Sequence, residues 1–283
     1  MKPNEKFLRK PKSFWASVRS LSQRVGYSKK GTIIIPSLSQ MAEAFRDLGL
    51  NPDKIVSKGV PTPLAIDLSE YFTERARLLV THVEPRLMDA ERAKSIFTDL
   101  YKKLRPTCPI PMNKQKGKMK AEAFLTGIVN MLIQHHANGQ PCDYDPGKLT
   151  TITRDGEPLR TLARRVDGAF PSSVNPVAVW EIKEYYYTTT FGSRVAGGVY
   201  ETLLDGLEIE ELREHEDFDV KHYLMVDAHF TWWKCGKPYL CRIFDMLHMG
   251  LVDEVLFGYE AVEELPRIVG EWTKLSKARD SKP

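Results

Sequence analysis

Apolar residues recur along most of this chain at the three-to-four spacing of helices, and the rhythm breaks in a few short stretches where they alternate or run together. Residues 119–137 place Phe124, Leu125, Ile128 and Leu132 on one helical face, and Asn138-Gly139 ends the pattern. Two extended segments follow, 148–154 and 159–170, joined by the turn pair Asp155-Gly156. Next come a strand over 177–187, opened by Asn175-Pro176, a helix over 193–204 and an acidic linker. A strand at 220–228, a helix near 238–250, a strand at 254–257 and a helix over 259–275 complete this half. Helices and strands interleave, which predicts a mixed α/β core.

The first half reads differently. Gly31–Pro36 is a short extended segment, and 37–48 is a helix with a serine cap and a stop at Gly49. Two longer helical patterns, 65–83 and 86–104, are separated near Pro85, and residues 106–117 have the composition of a linker. Residues 1–110 are therefore expected to form a mainly helical region serving DNA recognition or dimerisation, and residues 118–283 the α/β core. The helix over 37–48 suits a helix-turn-helix-like reader and a plain helical bundle equally well.

Charge sharpens this division. Residues 1–120 carry 24 Lys and Arg against 11 Asp and Glu, whereas residues 121–283 carry 17 against 26. Residues 102–120 hold seven basic side chains, among them Lys114, Lys116, Lys118 and Lys120, and no acid. Such segments attract a polyanion and release its counterions, although lysine-rich linkers also serve simply as solubilisers. No apolar run approaches the ~20 residues needed to cross a bilayer. The basic N-terminus lacks the apolar stretch of a secretory signal, so a cytoplasmic location and no membrane partner are expected. Four cysteines form no CxxC pair and predict reduced thiols rather than a zinc site. His135-His136 reads as a packing or surface pair. No Gly-rich phosphate loop, serine elbow or HExxH motif is present.

The informative chemistry lies in Arg164-Arg-Val-Asp167-Gly-Ala-Phe and in Val177-Ala-Val-Trp-Glu181-Ile-Lys183-Glu. Alternation puts Glu181 and Lys183 on one face of a strand, and Asp167 on a neighbouring strand can share it. Two carboxylates and one ammonium around a point suit a hydrated Mg²⁺ beside a phosphate.

This arrangement resembles the PD-(D/E)xK nuclease superfamily, the fold of most type II restriction endonucleases. It departs from the pattern at Val166, where proline is usual. The order of elements after residue 118 also resembles that family's core. The resemblance implies a restriction-endonuclease-like mixed sheet flanked by helices, and Mg²⁺-dependent hydrolysis of double-stranded DNA, with Mn²⁺ able to substitute. It implies that Asp167, Glu181 and the Ile182 carbonyl bind the metal, and that Lys183 positions or activates water. Glu122 on the first helix of the core is a further candidate, a solvated carboxylate being the plain alternative. Arg194, Tyr200 and Glu201 are auxiliary candidates on the helix after the Glu-x-Lys strand. Tyr186 and Tyr187, followed by three threonines, either lie along DNA or simply pack, and Trp232-Trp233 is either core or a base wedge. A sequence-specific homodimeric restriction enzyme is the reading favoured. The alternatives are a structure-dependent repair or phage-defence nuclease, and a DNA-binding protein in which the three residues are incidental.

Overall fold

The computed structural model describes residues 1–188 and 192–280, and the chain divides into two units. One comprises residues 3–85 and 232–250, the other residues 1–2, 86–231 and 251–283. The break at Pro85/Arg86 comes earlier than the expected linker. Helix α1 (Ala90–Leu104) belongs with the core, because Ala93 and Phe97 join its hydrophobic cluster. Residues 113–121 are not a free tether either. The Asn113 amide accepts from the N–H groups of Gln115 and Ala121 and donates to the Met119 carbonyl, closing a basic loop.

The smaller unit is helical. The helix Leu38–Asp47 opens on a capping box made by Ser37 and Gln40 and buries Met41, Ala44 and Phe45. The helix Pro63–Leu78, capped by Thr62, carries Tyr71 and Arg75 into the interior, where the returning helix Lys237–His248 supplies Asp245. Arg75 meets Asp245 at 3.0 Å and Ser22 at 3.3 Å, and the Tyr71 hydroxyl donates to Asp245. Trp232 and Trp233 are buried in the helical turn Phe230–Cys235, as expected of core side chains.

Among its described residues the larger unit has seven strands: β1 (Asp143–Tyr144), β2 (Thr151–Arg154), β3 (Glu157–Thr161), β4 (Gly168–Phe170), β5 (Ala178–Glu184), β6 (Lys221–Asp227) and β7 (Glu254–Phe257). Five form one mixed sheet in the order β7-β6-β5-β4-β1. β5, β6 and β7 are parallel, whereas β4 is antiparallel to β5 and to β1. The hairpin β2–β3 stands apart from that sheet, turning at Asp155-Gly156, both at positive φ. The extended run expected over 159–170 is thus broken in two, at the segment that carries Arg164.

Alternation along β5 decides what each face of the sheet meets. Ala178, Trp180 and Ile182 face helix α2 (Phe124–His136) and helix α4 (Glu260–Asp280), with Trp180 stacked on Trp272 at 5.3 Å. Val179 faces helix α3 (Ser193–Glu216), joining Ile209, Leu212, Val166 and Ala169. Helix α3 runs through the segment expected to be an acidic linker. Thr202, Asp205, Ile209 and Leu212 recur at helical spacing on its buried side, and the acids occupy the outer one. Among the described residues no helix is long and apolar enough to cross a membrane.

Candidate active site

Gly168 pairs with Trp180 in the β4–β5 ladder, so the same register sets Asp167 opposite Glu181. The Asp167 N–H donates to the Trp180 carbonyl at 3.1 Å, fixing the backbone at the end of the ladder. Gly168 is required there, because a Cβ would fall 2.0 Å from the Trp180 ring. Beyond that point the Asp167 side chain takes over the pairing, its Oδ2 accepting from the Ile182 N–H at 2.7 Å. Within an extended residue the amide and carbonyl point to the same side. The Ile182 carbonyl is accordingly directed towards the Asp167 edge.

Glu181 is fully buried, and its carboxylate lies between two cations. Lys183 Nζ is 2.6 Å from Oε2, and Arg164 Nη1 is 2.9 Å from Oε1. Arg164 also meets Asp205 at 2.6 Å, and Lys183 and Arg164 meet Glu201 at 3.2 and 3.5 Å. The aliphatic stem of Lys183 passes against α3 at Gly198, where a Cβ would lie 3.1 Å from Cδ and 3.0 Å from the Tyr185 hydroxyl.

Four carboxylates (Asp167, Glu181, Glu201, Asp205) thus accompany two fixed cations (Arg164, Lys183), and the imbalance is visible in their acidities. Burial and the Glu181 charge push Asp167 up to about 6 and Asp205 to about 7. Burial opposes ionisation of Glu181 too, but Lys183 and Arg164 outweigh it and hold its carboxyl below the usual range. Lys183 is likewise disfavoured as an ion by burial, yet Glu181 and Asp167 raise its pKa above the ordinary lysine value.

A divalent cation fits this donor set. Asp167 Oδ1 and the carboxylate of Glu181 are hard oxygen donors in a cluster whose formal charge, with all six groups ionised, is two short of neutral. Among the described residues no group of three or more His, Cys, Asp and Glu could hold a metal ion. Two carboxylates completed by waters are a donor set that Mg²⁺ accepts.

The remaining candidates are distributed as follows. Glu201 joins the cluster. Glu122 does not sit on the core helix: it precedes the Ala123 cap, exposed, in a one-residue bridge to Met112. The carboxylate that does engage that helix is Glu184, whose Oε2 accepts from Thr126 N–H at 3.0 Å and Thr126 Oγ1 at 3.1 Å. Burial raises Glu184 to about 7 in spite of those bonds. Arg194 and Tyr200 are exposed on α3. Tyr186 donates its hydroxyl to Asp227, and its ring lies 6.4 Å from that of Phe124. Tyr187 is half-buried against the same cluster, so both tyrosines are used in packing. Thr189, Thr190 and Phe191, in the threonine-rich segment, lie outside the described residues, as does the side chain of Lys118. Lys114, Lys116 and Lys120 are exposed on the loop that leads into α2.

Arg164 and Asp205 are the site residues that the sequence reading passed over. Arg164 adjoins the Asp167 motif, and a basic residue three positions ahead of that aspartate is the one available signal.

Two family models match the chain. The model described as "Domain of unknown function (DUF7687)" covers residues 88–272, and "Domain of unknown function (DUF7690)" covers residues 1–82. No curated protein matches, and neither does any solved structure.

Proposed function

This chain belongs to the DUF7687 family, and we propose that it is a metal-dependent deoxyribonuclease of the restriction-endonuclease-like kind, hydrolysing phosphodiester bonds of double-stranded DNA. The observation that carries the reading is the register of β4 on β5, which sets Asp167 across from Glu181 with the Lys183 ammonium 2.6 Å from the Glu181 carboxylate. Support also comes from the exposed lysines of the 113–121 loop. That loop leads into α2, whose first turn is held by Glu184 at the C-terminal end of β5.

In this reading Asp167, Glu181 and the Ile182 carbonyl would hold Mg²⁺, with Mn²⁺ as a substitute. When bound, the cation would supply Lewis acidity and a more acidic water. Lys183 would orient the attacking water and offset charge on the phosphate oxygens. The water oxygen bonds to phosphorus in line with the departing sugar oxygen. The P–O bond to that oxygen breaks, and the proton released by the water is returned to it. Glu201 braces the Lys183 ammonium at 3.2 Å, and the exposed Arg194 and Tyr200 on α3 would contact the backbone of DNA. A homodimer would bring two such sites to the two strands of a palindrome, the arrangement of a sequence-specific restriction enzyme acting in the cytoplasm.

Incubating the purified protein with a large bacteriophage DNA, with and without Mg²⁺, tests the proposal. Discrete Mg²⁺-dependent fragments are expected. A smear indicates a repair or phage-defence nuclease without a fixed site. DNA left intact under both Mg²⁺ and Mn²⁺, but shifted on a gel, would replace the enzyme by a DNA-binding protein.

A further inference from the structure

Glu181 Oε2 accepts from Lys183 at 2.6 Å and from Arg164 Nη2 at 3.3 Å, whereas Oε1 makes no hydrogen bond and has only the Arg164 Nη1 beside it, at 2.9 Å. A metal ion approaching Oε1 meets the positive charge of that guanidinium. Lys183 is anchored on a strand, and its stem is confined by Gly198. Arg164 is different. It stands on the irregular segment between β3 and β4, its side chain is 23% exposed, and it already touches Asp205 at 2.6 Å and Glu201 at 3.5 Å. It can leave Glu181 and remain ion-paired.

Building on the nuclease reading, we infer that Arg164 is an internal stand-in for the divalent cation: its guanidinium occupies the Glu181 oxygen the cation needs, and cation binding transfers it to Asp205 and Glu201. Together with Lys183, the guanidinium neutralises a fully buried carboxylate while the site waits. It also sets a threshold, because cation affinity is reduced by the work of displacing it. Arg164 is a positioning residue in this scheme. It keeps Glu181 ionised and in place, and it clears the coordination sphere on demand.

Binding of Mn²⁺ in the absence of DNA, followed by calorimetry or by the electron paramagnetic resonance of free Mn²⁺, reads this directly. Arg164→Ala is expected to bind Mn²⁺ roughly tenfold more tightly than wild type, a modest share of the Coulombic attraction at this separation. Adding guanidinium chloride at millimolar levels should weaken Mn²⁺ binding to Arg164→Ala beyond what an equal concentration of NaCl does, and should leave wild type unchanged relative to NaCl. If Arg164→Ala does not fold, Arg164→Gln, which keeps a donor for Asp205, is expected to behave in the same way. Equal or weaker Mn²⁺ binding by the variant, or a guanidinium effect no larger than that of NaCl, overturns the role of Arg164 while leaving the nuclease reading standing. Absence of Mn²⁺ binding in wild type and variant alike removes both.

Discussion

The Lys183 ammonium lies 2.6 Å from the carboxylate of Glu181, two residues earlier on the same strand and on the same face. Replacing Lys183 with alanine removes one of the two cations that neutralise Glu181 and, on the nuclease reading, the donor to the reacting phosphate. Cleavage should fall by a factor of about 10²–10³, the usual cost of losing one preorganised donor. DNA affinity in a gel-shift without Mg²⁺ should change only a few-fold. Wild-type cleavage rates in this variant would exclude Lys183 from the chemistry.

Asp167 is held at about 6 by burial and the neighbouring Glu181 charge. Below that pH a proton competes with the cation for the same oxygens. The Mg²⁺ concentration for half-maximal cleavage is therefore expected to be higher at about pH 5.5 than at about pH 8, since metal binding must release the proton. Asp167→Asn should abolish metal-dependent cleavage at both. A half-saturation point that does not move with pH would count against Asp167 as a ligand.

Gly198 leaves room for the stem of Lys183 and for the Tyr185 hydroxyl. Gly198→Ala should displace the ammonium by a few tenths of an ångström and lower kcat well before KM. Its thermal midpoint should stay close to wild type, because alanine is the better helix former and offsets the crowding. A variant with unaltered kcat would show that the stem tolerates movement.

On the opposite face, Asp227 is pushed up to about 7, chiefly by burial. Its folded value lies above the ordinary carboxyl value, so the folded state holds this proton more firmly than the unfolded chain. The stability it contributes is complete at acidic pH and is lost as pH rises through about 7. Asp227→Asn should therefore gain thermal midpoint relative to wild type between about pH 5 and about pH 8. Parallel midpoint curves would refute this.

Arg75 is fully buried and ion-paired with Asp245 in the smaller unit. Asp245→Ala strands that charge, and a loss of about 3–5 kcal/mol in denaturant unfolding is expected. Replacing both residues with apolar ones should recover much of it. Additive losses in the double variant would mean that the pair is not energetically coupled.

The sequence makes Glu181 and Lys183 legible because an extended strand has an invariant period of two, and the cross-strand position of Asp167 then needs only a neighbouring strand. Arg164 and Asp205 escape that logic. One sits on an irregular segment without periodicity, and the other on a helix whose acidic surface disguises its buried side. Glu122 lies outside the helix for a related reason: the helical pattern continues backwards over a loop that the Asn113 side chain closes and that Glu184, distant in sequence, helps to terminate. Strand ends were similarly overrun at Tyr185–Tyr187, whose β-compatible side chains pack after the ladder has finished.

The smaller unit is assembled from two stretches of chain, residues 3–85 and residues 232–250. During synthesis its first stretch emerges from the ribosome long before the second, and Arg75 must wait for Asp245 through more than half of translation. A fragment ending near residue 85 would expose an uncompensated guanidinium and an unfinished apolar interior. Shortened versions of this protein should therefore retain both stretches, and grafting the N-terminal region alone onto another protein would transplant an incomplete object.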